Sequence, residues 1–255
     1  MNEPIASILP LNSENATLEM VGGKGANLAR LAQAGLPVPN GFLISTAAYR
    51  AFVAANHLEP GIAAFLATTP NTDSASARIR ALFSSGRIPE ALRDEILAAY
   101  TGLGCGAVAV RSSATAEDLP DLSFAGQQDT FLNIIGEDAL IKAVLDCWGS
   151  LWTARAIEYR ARNLVDHSGV ALAVVVQRMV PSRASGVLFT ANPLSGLRSE
   201  TVIDAALGLG EALVSGQVDP DHYVVDPGSG NRRRFPASSV ARLPSPRIQT
   251  TGSAR

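Results

Sequence analysis

One stretch constrains this chain more than any other: VAVRSSATAEDLPDLSFAGQQDTFLN, residues 108–133. It opens as a short apolar strand. It breaks at Arg111-Ser112-Ser113 into a polar, acidic loop, and closes on Phe124-Ala125-Gly126-Gln127-Gln128 before apolar residues return. A strand that delivers an arginine, two hydroxyls and a glycine turn into one loop suits an anion, and phosphate above all. The guanidinium is a planar fork of donors, and glycine lets backbone N–H groups come close. An ordinary loop with a solvated arginine has the same composition, so the stretch gains meaning only from what surrounds it.

Upstream, LEMVGGKGANLARLAQAG, residues 18–35, reads as a glycine turn followed by a short helix with one apolar face, stopped by Gly35 at C′. Lys24 falls near the N-terminus of that helix, where N–H groups and the helix dipole favour an anion. The segment is not a Walker A loop. Leu18 stands where that motif needs glycine, and Gly25 stands where it needs Ser or Thr. Residues 36–45 read as a connection into a strand, and Thr46 as the cap of a helix carrying Tyr49, Phe52 and Val53. Asp138 to about Arg162 reads as one long amphipathic helix with Trp148 and Trp152 in its core stripe and Arg155, Arg160 and Arg162 on its solvated side.

ALAVVVQRMV, residues 171–180, is a β-branched strand interrupted by Gln177. A buried amide needs a partner, since leaving it unpaired costs about 1–3 kcal/mol, and either a ligand or backbone could supply one. Further strands are expected at 186–190, 201–205 and 222–226. GLGEALVSG is no dinucleotide fingerprint, because Leu213 stands where the last glycine should be. Strands and helices with hairpin-like returns indicate an α+β fold.

Bulk composition removes several function classes. The 255 residues are 47% hydrophobic and 17% charged, with no apolar run of membrane-spanning length and no signal-peptide pattern at the start. Cys105 and Cys147 give neither a disulfide framework nor a metal spacing. The cytoplasm is the expected compartment. Residues 231–255 hold six arginines and no acidic residue, leaving 15 basic and 23 acidic residues in 1–230, a net of −8. Such a body argues against nucleic-acid binding. The arginine-rich stretch itself is expected to lack packed structure.

Four blocks in order now carry a resemblance: VGGKGANLARLAQAGLPVPNGF, VAVRSSATAEDLPDLSFAGQQDTFLN, VVVQRMVPSRASGVLFTANP, and GLGEALVSG with DPDHYVVD. Together they resemble the N-terminal nucleotide-binding domain of the phosphoenolpyruvate synthase, pyruvate phosphate dikinase and rifampicin phosphotransferase family. FAGQQDTFLN is closer in wording to the synthase and rifampicin phosphotransferase branches. The resemblance implies an ATP-grasp fold, with a first lobe over 1–180, the beginning of an incomplete second lobe over 181–230, and an unrelated or disordered basic tail over 231–255.

The resemblance also implies roles residue by residue. Lys24 would contact the ATP phosphates and Arg111, the catalytic candidate, would grip the transferring end. Gly126 would lie in the phosphate-covering loop with Thr130 after it, and Gln177 would meet the nucleotide. Glu117, Asp118 and Asp121 read as loop solvation, and Glu211 is not assigned to a metal. Mg²⁺ is expected for the family, but its Gln-Asp-Ile-Glu-Trp-like block does not appear after residue 226. The phosphate-accepting histidine, in a Ser/Thr-x-His-Ala-like setting, is matched by none of His57, His167 and His222. Conversion of ATP to AMP and phosphate through phosphohistidine would then need a histidine domain and a substrate domain from elsewhere, which separate chains could supply. The alternatives are a non-catalytic nucleotide-binding module and an inactive truncated remnant.

Overall fold

A computed structural model describes residues 6–69, 71–115, 129–226, 228 and 232–235, which divide into two compact units meeting at Met179 and Val180. Both units are built on antiparallel sheets, so the fold is α+β as the sequence indicates.

Unit 1 carries strands β1 (Ile8–Pro10), β2 (Gly41–Ile44), β3 (Val108–Ala114), β4 (Thr130–Ile134) and β5 (Leu172–Arg178). They form one sheet in the order β1-β2-β5-β3-β4. β5 is central and buried on both faces, which is why its sequence is nearly all Val, Leu and Ala. Helix α1 (Leu18–Gln33) covers one face, packing Val21 and Ala26 against Leu9, Leu43, Ala173 and Val175. The other face meets α2 (Thr46–Ala55), α3 (Leu58–Thr68), α4 (Thr72–Ser85), α5 (Glu90–Gly102), α6 (Glu137–Ser150) and α7 (Ala154–Arg162). Its core gathers Phe42, Ile44, Val110, Val174 and Val176 from the sheet with Phe52, Phe83 and Trp148 from the helices. The period-2 alternation of β2 and β3 sorts side chains between these two layers.

The structure corrects three sequence expectations in this unit. The Arg111-Ser112-Ser113 run is not a loop: β3 continues through it to Ala114, pairing Ser112 with Val174 and Ser113 with Ala173. The hydroxyls tolerate burial because backbone carbonyls accept from both: Asp129 from Ser112 Oγ at 3.3 Å, and Val21 from Ser113 Oγ at 2.7 Å. The long helix expected over 138–162 is two helices. Thr153 adopts an extended backbone between them, and its Oγ1 accepts from the Ala156 N–H at 3.3 Å as the N-cap of α7. Arg160 is not solvated. It lies on the same α7 face as Ala156 and Ile157 and is only 1% exposed.

Arg160 owes its position to an aromatic cradle. Its Cζ sits 5.0 Å from the Trp152 ring centroid, and its Nε donates to His167 Nδ1 at 3.0 Å. Burial, and secondarily the nearby guanidinium, hold the His167 imidazole below its ordinary value of 6.5. The unfolded chain therefore takes up the proton first as pH falls. The stability His167 contributes is complete above about pH 6.5 and is lost as pH falls through the lower folded-state value. Urea unfolding at stepped pH is expected to show this decline in the wild type, and His167→Gln should flatten it. An unchanged profile in the variant would assign the decline to other groups.

Unit 2 is a four-stranded antiparallel sheet, β6 (Ala184–Phe189), β7 (Thr201–Leu207), β8 (Asp221–Val225) and β9 (Arg232–Phe235), in that order, with the short helix α8 (Gly210–Val214). β9 comes from the arginine-rich stretch expected to lack packed structure; His222 to Val225 pair with it in register. His222 is buried, and its Nδ1 lies 2.6 Å from Asp204 Oδ1 on the neighbouring strand. Among the described residues, no helix is long and apolar enough to cross a membrane.

Candidate nucleotide site

A single row of paired residues crosses all five strands of the first sheet: Leu9, Leu43, Val175, Arg111 and Thr130. Directly paired residues of antiparallel strands project to the same face, so this row belongs to the face that α1 covers. Its first three members are apolar and pack with α1. Its last two are polar: Arg111 is half-buried and Thr130 is exposed. The next row on the same face runs Gly41, Gln177 and Ala109. Arg111, Thr130 and Gln177, drawn from three strands, thus share one sheet face.

Lys24 reaches the same edge from α1. Gly22 has φ +69° and ψ 175°, a non-helical kink inside that helix, and it lies directly against β3. A Cβ there would sit 2.4 Å from the Ser113 carbonyl oxygen, so only glycine permits the approach. Ser113 Oγ then acts twice, donating to the Val21 carbonyl and accepting from the Gly25 N–H at 3.1 Å. The turn is clamped on both sides of Lys24, whose Nζ donates to the Ser112 carbonyl at 3.3 Å. Two blocks separated by 88 residues in sequence are thereby joined.

The Arg111 Nε is buried and finds no hydrogen-bond partner among the described residues. A buried donor left unpaired is costly, and an anion placed against it would remove that cost. Gln177, 7% exposed, has a partner: its Nε2 donates to the Pro39 carbonyl at 3.2 Å. The sequence left backbone and ligand both open there; backbone takes one of the amide protons. The neighbouring Gly41 gives it room, for a Cβ on Gly41 would lie 2.2 Å from the Val176 carbonyl oxygen and 3.1 Å from Gln177 Cγ.

Other expected residues fall elsewhere. Gly126, with Glu117, Asp118 and Asp121, lies outside the described residues. Ser112 and Ser113, read from the sequence as hydroxyls offered to an anion, are used by backbone and serve to position the turn. Asp129, adjacent to Thr130, was not singled out by sequence. It is half-buried, and burial raises its carboxyl above the usual range while the Arg80 charge opposes the rise. Among the described residues, no three or more His, Cys, Asp or Glu side chains converge as a metal would require.

The family described as Pyruvate phosphate dikinase, AMP/ATP-binding domain, matches residues 18–242. A probable phosphoenolpyruvate synthase of Methanothermobacter thermautotrophicus is 46% identical over 228 residues, which is 85% of this chain and 33% of the relative. One from Methanocaldococcus jannaschii is 48% identical over 223 residues, 83% of this chain and 19% of the relative. A rifampicin phosphotransferase of Streptomyces is 47% identical over 237 residues, 89% of this chain and 27% of the relative. The chain thus spans from about a fifth to a third of the length of these relatives.

Proposed function

Because the chain belongs to the pyruvate phosphate dikinase AMP/ATP-binding domain family, we propose that the α1-covered face of its first sheet holds the polyphosphate of ATP. The observation that carries this reading is the buried Arg111 Nε, unpartnered among the described residues, beside the clamped Lys24 turn. A fork of donors and an ammonium on neighbouring elements match a chain of phosphates, and fixed donors need no reorganisation when charge shifts during transfer. Thr130, paired with Arg111, adds a hydroxyl at the exposed end of the row. Gln177 retains hydrogen-bonding capacity for the edge of the base, and Gly126 would supply backbone N–H groups over the phosphates.

In this reading the chain is an ATP-grasp domain of a phosphotransferase of the phosphoenolpyruvate synthase or rifampicin phosphotransferase kind. ATP yields AMP and phosphate, with a histidine on another domain accepting the phosphoryl group and a further domain binding the final acceptor. Arg111 holds the transferring phosphate in line, and Lys24 neutralises the phosphates behind it. Mg²⁺ belongs with such chemistry, but the described residues present no carboxylate set to hold it, and the roles given to Lys24 and Arg111 do not depend on it.

Calorimetric titration of the chain with ATP and with AMP tests the proposal. ATP should bind about ten-fold or more tighter than AMP, since each charge-assisted bond to a distal phosphate is worth about 1.5–3 kcal/mol. Equal affinities would refute the phosphate roles of Lys24 and Arg111, and no binding of either would refute the site.

A further inference from the structure

On the helix-covered side of the first sheet, away from the α1 face, a cleft of about 530 Å³ opens between α2, α3 and the segment 152–170. That volume suits a small organic ligand. Its apolar wall is Val53, Ile62, Leu66 and Val170, and its aromatic end is Tyr49 and Trp152. The polar groups at that end are arranged as donors. The Trp152 indole Nε1 donates to Tyr49 Oη at 3.1 Å, and no acceptor for the Tyr49 proton is found among the described residues. His167, which also lines the cleft, accepts from Arg160 at Nδ1, so its neutral ring carries the proton on Nε2.

Arg160 stands directly behind this wall, touching both cleft-lining rings, Trp152 and His167. It is 1% exposed, and among the described residues its Nη2 has no hydrogen-bond partner and no ion pair includes it. Burial pulls its pKa down to about 10, so it stays charged at neutral pH. A buried cation without a counter-anion is an unusual expense in a fold. The carboxylates at the cleft, Glu59 and Asp166, do not supply the counter-charge. Both are exposed, and Asp166 is engaged by the backbone N–H and hydroxyl of Ser168. Arg50 adds a second guanidinium to the lining.

From these observations we infer that the α2–α3 cleft is a second binding site, taking a small acid with a flat apolar body. The body lies along Val53, Ile62 and Leu66, and the carboxylate turns toward Tyr49, His167 and the Arg160 charge behind them. The site is separate from the nucleotide face, which lies across the sheet.

The test uses the full chain, with 2-naphthoate as the probe and 2-naphthamide as its uncharged counterpart. Indole N–H signals in two-dimensional NMR give a residue-level readout, because the chain has only two tryptophans, and Trp148 does not line the cleft. The expected result is a saturable shift of the Trp152 signal by 2-naphthoate, at least ten-fold weaker binding of the amide, and no displacement by saturating ATP. Ala63→Phe, which fills the cleft from an exposed position on α3, should weaken the acid at least ten-fold while leaving ATP binding unchanged. A probe that leaves Trp152 unmoved, binds equally as the amide, is displaced by ATP, or is indifferent to Ala63→Phe would overturn the inference.

Discussion

Arg111→Ala is expected to weaken ATP binding by about 10- to 100-fold for each charge-assisted bond it removes, at about 1.5–3 kcal/mol per bond. The loss should not come through unfolding. The Arg111 Nε is buried without a hydrogen-bond partner among the described residues, so its removal takes away a desolvation cost rather than one of their contacts. Calorimetry and thermal melting on the same sample therefore separate the two effects: affinity falls and the midpoint holds. Arg111→Lys keeps the charge but loses the planar fork, and should fall between wild type and Arg111→Ala. If Arg111→Ala binds ATP as the wild type does, the residue has no part in gripping phosphate.

The second large effect is expected at Gly22. Gly22→Ala places a methyl 2.4 Å from the Ser113 carbonyl oxygen and 2.5 Å from Ser113 Oγ, at a φ of +69°. Its φ and ψ lie in a region that is essentially reserved for glycine, and holding another residue there costs about 1–3 kcal/mol. Steric overlap with backbone adds a cost of similar size, about 1–3 kcal/mol, because neither α1 nor the central part of the sheet can move cheaply. Chemical unfolding should register a loss of about 2–6 kcal/mol, the sum of these terms. ATP affinity should fall with it, since the Ser113 clamp is what fixes the turn carrying Lys24. A variant with wild-type stability would mean that α1 can leave β3 without consequence.

The contrast between these two residues shows what could be read from the sequence and what could not. Arg111 can be singled out by residue type as a fork of donors, although a solvated arginine reads the same until its neighbours are in place. Gly22 is visible only as part of a glycine turn. Its approach to Ser113 depends on a partner 91 positions away, which no local pattern encodes. The same limit explains the serines. Residue type permits them to meet a phosphate, and only the tertiary register shows that backbone has taken them. Strand identities followed from β-branched runs, and the stop of α1 from Gly35, which has φ +74°. The break between α6 and α7 was hidden because Trp148, Leu151 and Trp152 keep a helical apolar spacing through it, while Thr153 ends the first helix by capping the second. Arg160 misled for a related reason. One of three arginines on a mostly polar helix, it looks solvated until the Trp152 and His167 rings that enclose it are in place.

The central position of β5 bears on how the sheet is joined. Among the described residues β2 pairs with β1 and β5, and β3 with β4 and β5. In chain order β1–β2 and β3–β4 both precede β5, and each pair offers it one edge. Residues 172–178 fill the two edges and join the pairs into one sheet. The row that sets Arg111 level with Leu43 runs through Val175, so the placement of Arg111 relative to the α1-covered strands depends on residues 172–178.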